Sequence, residues 1–321
     1  RELFQRTTLT DTDVSLYSVK HPLSPITITT YQRVAAKTRS GERRHLSLLT
    51  NYPWGIVVYD EVHMLPAPLF RLAADLQSAR RLGLTATLVR EDGLEREVFS
   101  LIGPKCYEVP WKKLEDGGYL AAVRCVEVRV PLSEESDAQY EQALVRERHR
   151  IAAGNSNKAR VVRRLVSQHA GEHILIIGHY LDLLQTIASE LEVPLLTGKT
   201  PQAEREYWFN QFRRDNLHVL VLSRIANMAV DLPSASVAIQ VSGLFGSRQE
   251  EAQRLGRLLR PKTQEGVFYT LVTPNTIEQK MSSHRQLYLL EQGYAYDIVD
   301  ADYVFSERVK AREVVGMLER R

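Results

Sequence analysis

The chain has 321 residues, 44% of them apolar and 25% charged. These are ordinary proportions for a globular protein, and the length predicts about two domains. With 42 basic against 39 acidic residues the net charge is +3, which excludes an extended basic face and confines any nucleic-acid contact to local clusters.

Residues 1–22 are polar, punctuated by Thr, Asp and Ser. Ile26-Thr27-Ile28-Thr29-Thr30 alternates with period two and predicts a strand. Thr30-Tyr31-Gln32 closes it. A basic stretch, Arg33 to Arg44, follows and reads either as a solvated loop or as a turn contacting the phosphates of a nucleic-acid strand.

Ile56-Val57-Val58-Tyr59 predicts a short strand buried on both faces, ending in Asp60-Glu61-Val62-His63. In an open parallel sheet the carboxyl ends of strands form the ligand crevice. One carboxylate there could hold Mg²⁺ against nucleotide phosphates, and its neighbour could deprotonate a water. An acidic turn after a buried strand is the plainer description of the same residues. The apolar spacing of Leu69, Phe70, Leu72, Ala73 and Leu76 predicts a helix over 67–81. Leu82 to Thr87 then predicts a second buried strand ending in the hydroxyls of Thr85 and Thr87, with Arg90-Glu91-Asp92 as a charge cluster beyond it. Val123 to Val130 alternates as a strand, and the polar stretch that follows, broken at Gly154-Asn155-Ser156-Asn157, marks a domain boundary.

Strand and helix patterns then alternate to about residue 292, which predicts a parallel, doubly wound α/β sheet. Thr197-Gly198-Lys199-Thr200 imitates the end of a phosphate loop. However, Val193 stands where that loop needs glycine, and Pro201 breaks the helix it needs. No other glycine-rich phosphate loop is present in the 321 residues. In Gln253-Arg254-Leu255-Gly256-Arg257-Leu258-Leu259-Arg260 the spacing puts Gln253, Arg257 and Arg260 on one helical face. Residues 302–321 are charged and periodic and predict a surface helix. Cys106 and Cys125, the two cysteines, form no Cys-x-x-Cys pair and suit a reducing cytosol. No apolar run approaches the ~20 residues of a membrane span, and no secretory signal is present.

Several of these strings together resemble one family. Asp60-Glu61-Val62-His63, Arg81 to Asp92, Leu101-Ile102-Gly103-Pro104-Lys105, Gly246 to Gln253 and the box ending at Arg260, and Glu291-Gln292-Gly293-Tyr294 are similar to the bacterial branch of the XPB family of superfamily-two helicases. The resemblance runs from the N-terminus to about Asp302. It implies two RecA-like domains with parallel sheets, the first incomplete. Residues 1–132 would be the later part of the first domain, 133–157 a thumb-like DNA grip, 158–301 the second domain and 302–321 a terminal helix. The implied activity is ATP-dependent 3′ to 5′ DNA translocation in excision repair, with ATP and Mg²⁺ as cofactors.

The resemblance also implies roles. Asp60 would hold Mg²⁺, Glu61 activate water, His63 couple the site to the second domain, and Arg257 and Arg260 act as arginine fingers. Thr85, Thr87, Gln253 and Asp231 would link nucleotide state to movement. Thr30, Tyr31, Gln32, Arg90, Glu91, Asp92, Ser223 and Arg224 would contact DNA. Ala229 stands where most such boxes carry glycine, which weakens the transfer around Asp231. The implied partners are single-stranded or forked DNA and a repair nuclease or other repair protein, in the cytoplasm at the nucleoid, with no membrane. The chain begins at Arg1, not Met, and is expected to be a piece of a longer protein; with Asp60 as the metal-binding acid, its partner phosphate loop is expected upstream. Two other readings stay open: a DNA-binding or partner-docking module without ATPase activity, and a restriction- or remodelling-type translocase.

Overall fold

The computed structural model describes residues 7–10, 13–18, 23–67, 70–85, 95–223, 235–243 and 265–306. The chain divides into two units, Arg1–Glu108 and Val109–Arg321.

In the first unit, β1 (Val14–Leu16) pairs in parallel with β2 (Ile26–Ile28), and β3 (Trp54–Tyr59) in parallel with β4 (Ser78–Gly83). β1 lies within the polar stretch of residues 1–22. The basic stretch is not a single loop. It is flanked by α1 (Tyr31–Ala35) and α2 (Arg44–Thr50), and its arginines brace backbone: Arg33 Nη1 donates to the Tyr17 carbonyl and Arg43 Nη1 to the Ala35 carbonyl, each at 3.0 Å. A core of Tyr17, Val34, Leu49, Tyr59, Val62 and Leu65 joins these elements.

Two expectations fail here. The helix over 67–81 is replaced by a 3-10 turn, Arg71–Asp75, followed directly by β4. Pairing with β3 takes residues 78–83 out of the helical pattern, so the second strand begins at Ser78 rather than Leu82. Nor is β3 buried on both faces. Ile56 and Val58 are each 51% exposed while Tyr59 is buried, and Leu82 and Leu84 on the partner segment are exposed too. β3 and β4 pair only with one another among the described residues, and Trp54, Val57 and Tyr59 face the core cluster.

The second unit is a seven-stranded, all-parallel sheet. Its strands are β5 (Val123–Arg129), β6 (Ile174–Ile177), β7 (Leu195–Leu196), β8 (Val219–Leu222), β9 (Val237–Gln240), β10 (Gly266–Val272) and β11 (Tyr296–Asp300), in spatial order 11-5-10-9-6-8-7. β5 was expected to close the first domain. It lies instead between β10 and β11, where both of its backbone edges are paired and it is buried along most of its length. The contact boundary accordingly falls at 108/109 and not near residue 132.

The central strands β6, β8 and β9 are almost fully buried, and helices of residues 157–168 and 181–191 pack onto them through Val161, Val162, Leu165, Leu184 and Ile187. Residues 134–142 and 145–153 form two helices, tied to the sheet unit by the Tyr140 hydroxyl, which accepts the Ile277 N–H at 2.8 Å. The expected terminal helix falls almost wholly on residues outside those described; the part seen is a short helix, Ala301–Phe305, with Val304 buried. No described helix is long and apolar enough to cross a membrane.

Candidate active site

β3 delivers the chain to Asp60, and the backbone then turns sharply. Glu61 has φ 49° and ψ 47°, the left-handed region that is costly for a residue with a Cβ. A 3-10 turn, Val62–Met64, follows. The turn is fixed from both sides: the Val62 N–H donates to the Leu84 carbonyl and the Leu84 N–H to the Tyr59 carbonyl, each at 2.9 Å. Val62, His63 and Leu65 are buried beneath it.

Gly83 makes this close approach possible. A Cβ there would fall 2.9 Å from Val62 Cγ2 and 3.1 Å from two further Val62 carbons. Gly83→Ala is therefore expected to push Val62 and the adjoining turn outward, lowering stability by about 1–3 kcal/mol as overpacking does. Urea unfolding measures the loss, and faster hydrogen exchange of the Val62 amide locates it. Unchanged exchange would place the strain elsewhere.

The acidic pair divides into two environments. Asp60 is exposed. Its Oδ1 accepts the Glu61 N–H at 3.0 Å, and its carbonyl accepts the Tyr31 hydroxyl at 2.7 Å. Burial pushes the Tyr31 phenol well above its ordinary range, with the charges of Tyr59, Asp60 and Glu61 adding to the effect, so Tyr31 remains a donor. Glu61 is partly covered: burial pushes its carboxyl up, and the neighbouring Asp60 charge pushes the same way. Glu61 Oε2 lies 3.3 Å from His63 Nδ1, and the same ring nitrogen lies 2.7 Å from Thr85 Oγ1. His63 is 1% exposed, so it is a fixed joint between the acidic turn and the residues that follow β4.

The other expected residues separate into those that can be placed and those that cannot. Thr30 caps α1, its side chain accepting the Arg33 N–H at 3.2 Å. Gln32 is exposed on that helix. Ser223 ends β8, buried, with its N–H on the Leu196 carbonyl. Thr87, Arg90, Glu91, Asp92, Arg224, Asp231, Gln253, Arg257 and Arg260 lie outside the described residues. The phosphate-loop imitation is a self-bonded turn: the Thr197 N–H donates to Thr200 Oγ1 and the Lys199 N–H to Thr197 Oγ1. Pro201 then stands before a helix at Gln202–Arg213.

A polar cluster at the carboxyl end of the second sheet was missed from sequence. Lys158, fully buried, donates to both oxygens of Glu278 at 2.7 and 2.8 Å and to the Val241 carbonyl at 2.9 Å. The Thr273 N–H donates to Glu278 Oε2. Buried Arg285 lies against Gly243, where a Cβ would fall 2.5 Å from its Cζ. Nearby, Ser242 Oγ accepts the His179 N–H at 2.8 Å. The readable signal was Lys158 itself, in register with the apolar stripe of Val161, Val162 and Leu165.

Asp60 fits a magnesium ion of the kind that binds through one or two carboxylates and otherwise keeps water and phosphate oxygens. Its carboxylate is exposed on a rigid strand end, and no all-protein cage of three ligands surrounds it among the described residues.

Residues 114–314 match the family described as ERCC3/RAD25/XPB C-terminal helicase, so the similarity continues past Asp302. The chain is 53% identical over 304 residues to a DNA 3′-5′ helicase XPB of Kineococcus radiotolerans, covering 94% of this chain and 54% of that protein. It is 50% identical over 305 residues to a Mycobacterium tuberculosis protein of the same description, covering 94% and 55%. The chain thus spans about half the length of these relatives. Among solved structures, S. cerevisiae Dbp5 bound to RNA and ADP BeF3 is similar in fold, with TM-score 0.63, 15% identity, and coverage of 91% of this chain and 71% of that one.

Proposed function

Because this chain belongs to the ERCC3/RAD25/XPB C-terminal helicase family, we propose that it is the motor portion of an ATP-dependent DNA helicase, moving 3′ to 5′ and serving nucleotide excision repair. The observation that carries the reading is the His63 joint. One buried ring nitrogen meets both the candidate base Glu61 and Thr85, a route by which events at the nucleotide reach the segment after β4.

In this reading Asp60 would hold Mg²⁺, which when bound neutralises phosphate charge. Glu61 takes the proton of the attacking water. Its raised affinity for protons brings it nearer to the operating pH of a general base. Arg257 and Arg260 supply positive charge toward the γ-phosphate, while Gln253, Asp231 and Thr87 couple nucleotide state to movement. Thr30, Tyr31, Gln32, Arg90, Glu91, Asp92, Ser223 and Arg224 contact single-stranded or forked DNA, and the helices of residues 134–153 serve as the thumb. The remaining partners are a repair nuclease or other repair protein at the nucleoid. The phosphate cradle, a glycine-rich turn with a lysine, is not among these 321 residues, so the chain by itself binds DNA without turning over ATP.

The test is phosphate release with forked DNA, measured for this chain alone and for the chain joined to a segment bearing a Gly-Lys-Ser/Thr loop. The chain alone is expected to be inactive and the joined form DNA-stimulated. In the joined form Thr85→Val is expected to lower DNA stimulation roughly tenfold, the scale of one lost hydrogen bond, with basal hydrolysis nearly unchanged. Equal loss of both rates would assign Thr85 to the chemistry and remove the coupling route. DNA-dependent turnover by the unextended chain would overturn the reading of its missing cradle.

A further inference from the structure

The register of the second sheet sets two histidines side by side at the amino ends of two neighbouring strands. Ile174 and Val219 are partners in the β6–β8 pair, and each is preceded by a histidine, His173 and His218. Their backbones are pinned by the sheet. The His218 carbonyl accepts the Ile174 N–H at 2.7 Å, and the His173 carbonyl accepts the N–H groups of Ser236 and Val237 at 3.0 and 3.1 Å. The His173 ring stands edge-on to Phe212, centroids 4.7 Å apart, and 5.2 Å from the His218 ring.

Asp215 completes the group from the turn after the 202–213 helix. Its φ of 65° is left-handed, a conformation Asp tolerates better than most residues because its short polar side chain can bond locally. One carboxylate oxygen, Oδ1, lies 3.3 Å from His173 Nε2 and 3.6 Å from His218 Nδ1. One donor atom from each of the three residues lies within 4.8 Å of the others.

We propose that His173, Asp215 and His218 form a three-ligand site for a divalent transition ion of the Zn²⁺ class. Zinc bonds to imidazole nitrogen and carboxylate oxygen are about 2.0–2.2 Å long. In a tetrahedral shell the donors then stand roughly 3.3–3.6 Å from one another, by geometry from those bond lengths. Two of the three edges already have that length. The third closes by rotation of His218, the more exposed of the two rings at 44% against 15% for His173. Two imidazoles with one carboxylate select zinc, nickel or copper over magnesium or calcium, which prefer oxygen alone.

The fourth position faces solvent beside Asp215, 74% exposed, and takes water. The site sits at the amino ends of β6 and β8, whereas Ser223 and Ser242 follow the carboxyl ends of β8 and β9. A metal here therefore acts as a clip. It ties two adjacent central strands to the turn that leads into one of them.

The experiment uses the tag-free 321-residue chain stripped with EDTA. Zn²⁺ and Mg²⁺ are titrated separately by calorimetry and by thermal unfolding, and Co²⁺ is added for its visible absorption. The expected result is one Zn²⁺ per chain, an unfolding midpoint that rises with Zn²⁺ but not with Mg²⁺, and the intense visible bands of tetrahedral Co²⁺. His218→Gln and Asp215→Asn should each weaken Zn²⁺ binding roughly tenfold or more, since even an outer-shell partner is worth 10–100-fold. The metal-free midpoint and circular dichroism of these surface variants serve as the fold control; for a variant that fails it, the conservative Asp215→Glu replaces it in the comparison. Absence of stoichiometric Zn²⁺ binding would mean that the three residues are an ion-pair cluster only. Equal binding by wild type and folded variants would place the ion on other residues. Either result overturns the site.

Discussion

Lys158→Met is expected to cost the second unit about 3–5 kcal/mol of unfolding free energy, the scale for removing one partner of a buried ion pair. The ammonium has three N–H donors, and three acceptors meet them: both Glu278 oxygens and the Val241 carbonyl. Burial pushes the Lys158 amine down, and the Glu278 carboxylate holds against it. Methionine fills much the same volume, so the loss is not a cavity. It is a carboxylate left in a closed interior with the Thr273 N–H as a donor. Glu278→Gln alone should also destabilise, because it leaves the lysine charge uncompensated. The double variant should recover part of the loss, since a neutral amide beside a methionine is easier to bury than a lone charge. Urea unfolding of all four proteins gives the coupling energy directly. Additive losses would show that Lys158 and Glu278 act separately and would sink the argument.

Glu61→Gln, in the form joined to a phosphate loop, is expected to lower DNA-stimulated turnover by about 10²- to 10⁴-fold, the range assigned to a general base. Nucleotide affinity should change little, because the amide keeps the size of the side chain and the exposed carboxylate of Asp60 remains. The loss should then fall on turnover. pH supplies a second readout. A base works only when deprotonated, and burial together with Asp60 raises the Glu61 proton affinity. The acid limb of the wild-type pH–rate profile should accordingly lie above the ~4.3 of an unperturbed glutamate, and it should vanish in the residual activity of the variant. The same sign applies to stability. A carboxyl raised in the folded state favours folding below its unfolded value, and that contribution fades as pH rises through the folded value. An acid limb at an ordinary glutamate position, or turnover within a few-fold of wild type, would assign the base to another group.

What could be read from sequence was set by how far apart the cooperating residues lie. Asp60, Glu61 and His63 form one run at a strand end, so their shared position followed from a local pattern, and β6, β8 and β9 announced themselves as short β-branched runs. The helix over 67–81 did not survive, because a helical spacing of leucines says nothing about the strand waiting to pair with Ser78–Gly83. β3 was expected to be buried on both faces from its composition alone, while burial depends on what lies over each face. β5 reads identically as the last strand of one sheet or a middle strand of another, and only its partners at residues 266–272 and 296–300 decide. His173 and His218 are separated by an entire strand–helix–strand–helix passage, so no motif could join them. Lys158 was missed although its signal is local: a charge inside an apolar stripe is visible in one helix, and it marks a buried partner.

The place of β5 between β10 and β11 also fixes the order in which the second sheet can be made. Its register partners lie about 140 to 170 residues further along the chain. At about 5–20 residues per second on a ribosome, β5 waits roughly 7–30 seconds before its first neighbour exists. Pairings of such long sequence separation also fold slowly once the chain is complete, because loop closure must precede the contacts that reward it. Throughout that interval Val123, Cys125, Val126 and Val128, all buried in the finished sheet, belong to a strand with two open edges, the configuration that invites pairing with a foreign chain. The β6–β8–β9 centre can form first, from residues that emerge close together. β5 is then the last of the early strands to find its place.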